Sequence, residues 1–168
     1  ISMISEGLGI SKGALYKHYE SKRAIFDAII RRMEENDYAM SADFDLPTDI
    51  FCKMPEAYKG SSLEQLFSFT FAMFFYWTEN DFASKFRRMI SIEQYSSPEM
   101  SDLFQQYLGK GPLRYVADIF RSVLELKKTD KSAQALALEF YAPVFMLISI
   151  YDNAEDKKHV SDMLKEHI

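Results

Sequence analysis

The chain has few of the residues that build covalently or metal-held structure. Its 168 residues include one cysteine, Cys52, and three histidines. A single cysteine excludes an internal disulfide, and histidines far apart in the sequence give no metal-ligand spacing, so we expect no metal or other cofactor. The lone cysteine also fits a reducing cytoplasm. No continuous apolar run approaches the roughly 20 residues that span a bilayer, which predicts no membrane partner.

Signatures of catalysis are also missing from the sequence. There is no G-x-S-x-G, H-E-x-x-H, Walker loop or cysteine–histidine constellation, so we do not expect an enzyme. The net charge of −5 excludes a protein that coats nucleic acid over its whole surface. It permits a small DNA-reading head on an acidic body. An apolar content of 48%, with 15% aromatic residues, is too high for a disordered chain.

The stretch from Ile4 to Ile30 carries the strongest local signals in the chain. Gly9 ends a short helix, because glycine adopts the left-handed conformation at little cost. Ser11 is a good N-cap for the next helix, since its hydroxyl can accept from a free backbone N–H. Ser21 is a second N-cap, for the helix that follows. Two short helices joined by a tight turn and followed by a long helix indicate a helix-turn-helix.

The short helix that Ser11 opens has two different faces. The inner face carries Ala14, Leu15 and Tyr19. The outer face carries Lys12, Gly13, Tyr16 and Lys17. Glycine inside a helix costs about 1 kcal/mol relative to alanine, which is easier to accept if a large partner approaches the backbone there. Two lysines and a tyrosine around that glycine suit a DNA groove with phosphate walls.

The segment GISKGALYKHYESKRAIFDAII resembles the DNA-binding signature of the TetR/AcrR family of transcriptional regulators. Ile4–Ser5 stands at the family's isoleucine–alanine pair, and the run from Gly9 to Ser11 at its glycine–valine–serine. The run from Tyr16 to Tyr19 stands at its aromatic end, and Lys22 at its trailing lysine. The resemblance implies that DNA is contacted by Ser11, Lys12, Gly13, Ala14, Tyr16, Lys17, His18 and Lys22. For two of these an alternative stays open: Lys22 is a solvated lysine, or His18 packs beside Tyr19.

The resemblance also implies an architecture, which is all-α. We expect a helix-turn-helix head with a connecting helix over residues 1–42, and an effector-binding and dimerisation body of antiparallel helices over residues 43–168. The family has a complete helix and more of the next one before this motif. Because the sequence starts at Ile1, we expect that an N-terminal segment precedes it.

Helix signals continue along the body. The connecting helix is predicted from Ser21 to about Ala42, followed by an irregular stretch up to Gly60 with a short helical turn near residues 50–54. The capping box of Ser61 and Glu64 opens a helix up to Thr78 that is apolar nearly all round. The further expected helix starts are Asn80, Ser97–Pro98 and Thr129–Asp130, and residues 109–112 are expected as a break. Val160, Met163 and Leu164 indicate a last amphipathic helix.

The aromatic and methionine side chains of the body have two readings. Most are ordinary core, but helical bodies rich in soft, bulky side chains can open a pocket, and the resemblance implies a small lipophilic or aromatic effector there. The candidate effector-binding residues are Phe69, Met73, Trp77, Phe86, Met89, Tyr115, Phe120, Glu139, Tyr141 and Phe145. Glu139 either faces solvent or a partner, or serves as a buried polar anchor in the pocket.

One helix of the body is expected to form a homodimer. The run LALEFYAPVFMLISIYD resembles the late dimer-forming helix of the family, with Pro143 inside it. Four of its residues are predicted to form an exposed apolar ridge that a second copy would bury: Tyr141, Val144, Ile148 and Tyr151. The alternative is that these four side chains belong to the core of their own chain.

The leading interpretation is a dimeric regulator, most often a repressor in this family, that binds double-stranded operator DNA and is released by a small-molecule effector. Two other classes remain open at this point. One is a helical enzyme acting on a lipophilic substrate, and the other is a ligand carrier that does not bind DNA. DNA binding that a lipophilic compound abolishes would distinguish the first class from both others.

Overall fold

A computed structural model describes residues 1–43, 62–123 and 132–168. In these three ranges all regular structure is helical, which confirms the all-α prediction. The helices are α1 (Ser2–Gly7), α2 (Lys12–Tyr16), α3 (Lys22–Asp43), α4 (Leu63–Glu79), α5 (Asp81–Glu93), α6 (Pro98–Tyr107), α7 (Lys110–Val123), α8 (Ala133–Asn153) and α9 (Lys157–His167). The chain divides into two compact units, Ile1–Met40 and Ser41–Ile168.

The first unit is built by the local signals expected from the sequence. Gly9 has a φ of +64°, in the left-handed region that favours glycine, and turns the chain between α1 and α2. The hydroxyl of Ser11 accepts from the backbone N–H of Ala14 at 3.1 Å and caps α2. Ser21 caps α3 in the same way, because its hydroxyl accepts from Ala24 at 3.1 Å. The turn and both caps are therefore confirmed.

Helix α3 runs unbroken from Lys22 to Asp43, as the sequence predicted. Its charged face is exposed at Arg31, Arg32, Glu34 and Glu35. Its buried stripe contains Met33, and one turn later Asp37. A carboxylate on this stripe was not expected from the sequence.

Polar N-caps also start the helices of the second unit. Ser62 and Gln65 form the capping box of α4: the Ser62 N–H donates to Gln65 Oε1 at 2.8 Å, and the Gln65 N–H donates to Ser62 Oγ at 3.2 Å. The prediction of Ser61 and Glu64 was wrong by one residue, because two consecutive serines each precede an acceptor by three positions. Asn80 and Ser97 cap α5 and α6 as predicted.

The corner between α6 and α7 is tighter than expected. Only Leu108 and Gly109 lie between the two helices, and Gly111 and Pro112 belong to the first turn of α7. Proline is tolerated there because a first-turn residue needs no hydrogen-bonded N–H. A Cβ at Gly109 would lie 2.5 Å from Oε1 of Gln105, so the close turn leaves little room for a side chain.

The second unit forms one core around α4, α7 and α8. Helix α4 contacts α5, α7 and α8, and α8 also contacts α9. Leu66, Phe74 and Trp77 of α4 are buried, which agrees with the prediction of an enclosed helix. On α9, Val160 and Leu164 face this core, whereas Met163 is exposed.

Helix α8 corrects one expectation about membranes. By length and composition alone it is apolar enough to cross a bilayer, although no uninterrupted apolar run suggested this. Core helices of globular proteins can have the same length and apolar composition, and α8 packs against α4, α7 and α9. Its Pro143 lies inside the helix, as predicted.

Several expectations concern residues outside the described ranges. These are the irregular stretch before Gly60, its helical turn near residues 50–54, and the helix start at Thr129–Asp130. In the described chain, Ser132 caps α8 by accepting from the Ala135 N–H at 3.2 Å.

A buried ion cluster joins α4, α5 and α8. The Arg87 guanidinium donates to the Trp77 carbonyl at 3.1 Å and to both carboxylate oxygens of Asp152 at 2.6 and 2.8 Å. Arg88 donates to the same carboxylate at 2.9 Å from the surface. Burial alone would raise the pKa of Asp152, but the hydrogen bonds from Arg88 and Arg87 outweigh it and lower the pKa.

We expect Asp152→Ala to destabilise the second unit by about 3–5 kcal/mol, because it leaves the buried Arg87 charge without its counter-ion. Arg88→Ala is the matched control. It removes the exposed cation from the same carboxylate and should cost at most about 1 kcal/mol. Urea unfolding of both variants measures the difference. Equal losses in the two variants would contradict the assignment of Arg87–Asp152 as the structural pair.

Candidate nucleic-acid interface

Helix α2 has the two faces that the sequence predicted. Leu15 is buried, and Ala14 and Tyr19 are half-buried. The side chains that remain exposed are those of Ser11, Lys12, Tyr16, Lys17 and His18, and the Gly13 backbone is exposed with them. Leu15 therefore fixes which side of α2 faces inward, and its rotation presents the lysines outward.

Three lysines near α2 keep their full charge available. Lys12 is the first residue of α2, Lys17 directly follows the last residue of α2, and Lys22 is the first residue of α3. All three lysines are exposed. In the described ranges none of them makes an ion pair with a carboxylate. Arg23, by contrast, is bound to Asp27 at 2.7 Å. Unpaired cations beside two helix N-termini make a surface suited to anionic phosphates.

Gly13 has no structural requirement within its own chain. Its φ lies outside the left-handed region, and an added Cβ would meet only Ser11 Oγ, at an ordinary 3.9 Å. The protein therefore has room for alanine at this position, and alanine would favour the helix by about 1 kcal/mol. The described chain therefore gives no internal reason for glycine at this position.

A short capped helix presenting cations and an open backbone after a tight turn defines a helix-turn-helix DNA-binding head. Residues 1–29 match the family model described as "Bacterial regulatory proteins, tetR family". This match confirms the resemblance seen in the sequence and supports a DNA-binding transcriptional regulator of the TetR type. Searches of curated proteins and of solved structures gave no significant match.

Several candidate effector-binding residues contact other aromatic rings within the second unit. Phe69 contacts Tyr115, with ring centroids 5.5 Å apart, and Phe120 contacts Phe140 at 5.7 Å. Trp77 and Phe86 each contact a ring the sequence did not single out, that of Tyr107, at 6.3 and 5.1 Å. The candidates Phe69, Trp77, Phe86, Tyr115 and Phe120 are buried, as expected of core side chains, whereas Met73 and Met89 are half-buried.

A half-buried aromatic group lies between α6 and α8. Phe145 contacts Tyr141 and Phe104, with ring centroids 6.3 and 6.4 Å apart. The Tyr141 hydroxyl donates to the Leu108 carbonyl at 3.0 Å, at the end of α6. Burial raises the pKa of Tyr141, so its hydroxyl stays protonated and remains a donor. The effector candidates Tyr141 and Phe145 are therefore only half-buried, and the Tyr141 hydroxyl provides a polar atom beside the rings.

Glu139 is not a buried anchor, because its side chain is exposed on α8. The reading in which it faces solvent or a partner is the one that agrees with its position.

The apolar ridge predicted for dimerisation is also wrong. Val144, Ile148 and Tyr151 are buried inside their own chain, and Tyr141 points to the α6–α7 corner. The Tyr151 hydroxyl donates to Glu79 of α4, which fixes it inward. The alternative reading, intrachain core, is correct for these side chains.

The exposed apolar residues of α8 lie on its other side. Leu138, Met146 and Ile150 are exposed, as is Ala142 between them. Their spacing of four residues puts them on one face of the helix. The sequence contains this spacing, but α8 has apolar residues on several sides, so periodicity could not separate this face from the buried one.

We expect Gly13→Ala to act in opposite directions on stability and on DNA binding. It should stabilise the protein by up to about 1 kcal/mol, since the methyl group meets no clash, and weaken DNA binding at least about tenfold by blocking close approach. Thermal unfolding and fluorescence anisotropy with labelled DNA measure the two effects.

Gly7→Ala in α1 is the matched control for this substitution. A Cβ at Gly7 meets nothing within 4 Å, so this variant should keep its DNA affinity. If Gly13→Ala binds DNA as well as the unsubstituted protein, the outer face of α2 is not the site of close approach.

Proposed function

We propose that this DNA-binding regulator is a cytoplasmic homodimeric repressor that leaves its operator when a small lipophilic or aromatic effector binds to the second unit. The observation that carries the proposal is the outer face of α2, with unpaired Lys12 and Lys17 around the open backbone of Gly13. Lysine at this position supplies affinity for phosphate, and the helix supplies the shape that enters a major groove.

The open face of α8 supports the homodimer. Leu138, Ala142, Met146 and Ile150 form an apolar strip on a helix whose other sides pack within the chain. The exposed Met163 of α9 adds an apolar side chain on the neighbouring helix. In a two-fold symmetric dimer the same surface of each subunit forms the interface, so the strip of one copy would cover the strip of the other.

A second copy fits this face better than a lipid bilayer does. The polar side chains Glu139, Ser149 and Asn153 are exposed alongside the apolar strip. A carboxylate in the middle of a membrane-spanning helix is costly, whereas the rim of a protein interface normally holds polar groups. We therefore propose that this face contacts a second copy of the chain and not a membrane.

Dimerisation matters because DNA is read at two places. Two recognition helices enter successive major grooves on one side of the duplex when they are about 34 Å apart. An effector that prefers a body conformation with another spacing lowers operator affinity by its differential affinity for the two conformations.

The aromatic group of Phe104, Tyr141 and Phe145 is the part of the body best suited to sense an effector. It is half-buried, and its one polar contact joins α8 to the end of α6. A lipophilic compound that inserts among these rings would compete with the Tyr141–Leu108 hydrogen bond. Binding would then change the packing of α6 on α8.

We expect full-length protein to select a palindromic operator from a random DNA library and to bind it with strong salt dependence. Lys12→Ala and Lys17→Ala should each weaken binding to all sequences and lower the slope of log Kd against log salt by about 2, since each removes one phosphate contact from each subunit of the proposed dimer. Anisotropy titrations over a salt series measure the slope.

Arg23→Ala is the control, because Arg23 is already paired with Asp27. Unchanged affinity in both lysine variants would contradict the proposed DNA-contacting face.

A library of lipophilic compounds is then added to the same DNA complex. Release of DNA supports the repressor, turnover without DNA binding supports a helical enzyme, and compound binding alone supports a carrier.

We expect Met146→Glu to convert the dimer to a monomer and to lower operator affinity, because it places a charge at the centre of the apolar strip. Sedimentation equilibrium measures the association state, and anisotropy the DNA affinity. Ile92→Glu is the matched control: Ile92 of α5 is 76% exposed, compared with 56% for Met146, and lies off the proposed interface. A Met146→Glu protein that stays dimeric would contradict this interface.

A further inference from the structure

A buried carboxyl group interrupts the inner stripe of α3. Asp37 is only 9% exposed, and Met33, one turn earlier on the same stripe, is fully buried. The residues that flank this turn on the outer side, Glu34 and Glu35, are exposed. An acidic side chain therefore occupies a position where the helix otherwise buries apolar groups.

Asp37 lacks the contacts that normally accompany a buried charge. Its Oδ1 atom is closed to solvent and accepts no hydrogen bond. In the described chain no cation forms an ion pair with it. Because Oδ1 has essentially no accessible surface, neither a water molecule nor a metal ion fits against it. Such an oxygen is costly to bury as a carboxylate and much less costly as part of a neutral acid.

The surrounding charges act in the same direction as burial. Burial raises the pKa of Asp37 to about 7, and the negative charge of Glu34, one turn earlier, contributes to the increase. In the described ranges Glu34 is the charged group whose field acts on Asp37, and none on another helix offsets it. Arg31 and Glu35 lie on the exposed face of α3.

We propose that Asp37 makes α3 proton-sensitive: its side chain is buried as a neutral acid, and the helix around it opens when the group becomes charged. Protonation then stabilises the buried arrangement, and rising pH destabilises it. Because α3 follows the recognition helix directly and continues into the second unit, this transition lies on the covalent path between DNA reading and the body.

The sign of the effect follows from the two pKa values. In the unfolded chain an aspartate titrates near 3.8, whereas in the folded protein Asp37 titrates near 7. Between these values the folded state holds one proton more than the unfolded state, so stability falls as pH rises. Below the lower value Asp37 contributes no pH dependence, and above the higher value the loss is complete.

The consequence for gene regulation rests on the proposed DNA-binding function. An opened α3 holds the recognition helix less firmly, so operator affinity should fall as pH rises from 6 to 8. The chemical signal would be the proton itself, separate from any organic effector in the body.

The test is urea unfolding of full-length protein from pH 4 to 9, with Asp37→Asn as an uncharged isostere. At each pH, the unfolding equilibrium constant of the unsubstituted protein is divided by that of Asp37→Asn. We expect this ratio to increase about tenfold per pH unit between pH 4 and 7 and to level off above pH 7. Glu35→Gln is the matched control, since it removes one carboxylate from the exposed face of the same helix. It should follow the unsubstituted protein.

A carboxyl-carbon NMR titration of Asp37 gives a second measurement that does not depend on how a variant folds. An Asp37 resonance that titrates near 4, or parallel stability curves for the protein and Asp37→Asn, would overturn the proposal. DNA binding is measured in the same pH series. Loss of DNA binding at every pH would instead contradict the proposed function, whereas pH-independent binding with a titrating Asp37 would overturn the regulatory consequence.

Discussion

Helix α8 is mostly apolar apart from exposed polar residues such as Glu139 and Ser149, and its apolar sides must be covered. Its own chain covers the sides that face α4, α7 and α9, and leaves open the strip that contains Leu138, Met146 and Ile150. The hydrophobic effect does not distinguish between a cover from the same chain and a cover from another, so this strip is a reason for two copies to associate. In our proposal the spacing of the two DNA-reading heads follows from that association.

The DNA-reading head depends on short-range chemistry. A positive φ at Gly9, a hydroxyl at Ser11 and one buried side chain, Leu15, define the turn, the start of α2 and its rotation. These contacts are only a few residues apart in the sequence, so the same lysines face outward wherever the segment folds. Short-range chemistry does not explain Gly13, because the described chain has room for a side chain at this position.

The acidic residues of the long helices show how burial determines the role of a carboxylate. Asp152 is half-buried beside the buried Arg87 and is held ionised by its hydrogen bonds. Asp37 is buried with no ion-pair partner in the described part of the chain, so its neutral form is favoured. Glu139, which stands in an equally apolar stretch of sequence, is exposed and keeps contact with water. The three residues are all carboxylic acids, and their different burial and partners give them different roles.

The sequence by itself determined the all-α class, the helix-turn-helix, most helix starts and the family of the N-terminal segment, because caps, turns and glycine conformations depend on atoms within a few residues. It also identified which side chains of α2 face outward, since one buried leucine sets the rotation of so short a helix. Only the tertiary structure decided which side of α8 is open, that Tyr141 bonds to the α6–α7 corner, and that Asp37 is buried with no ion-pair partner among the described residues. These features depend on packing, and in a helix with apolar residues on several sides, periodicity gives no information about which face its neighbours cover.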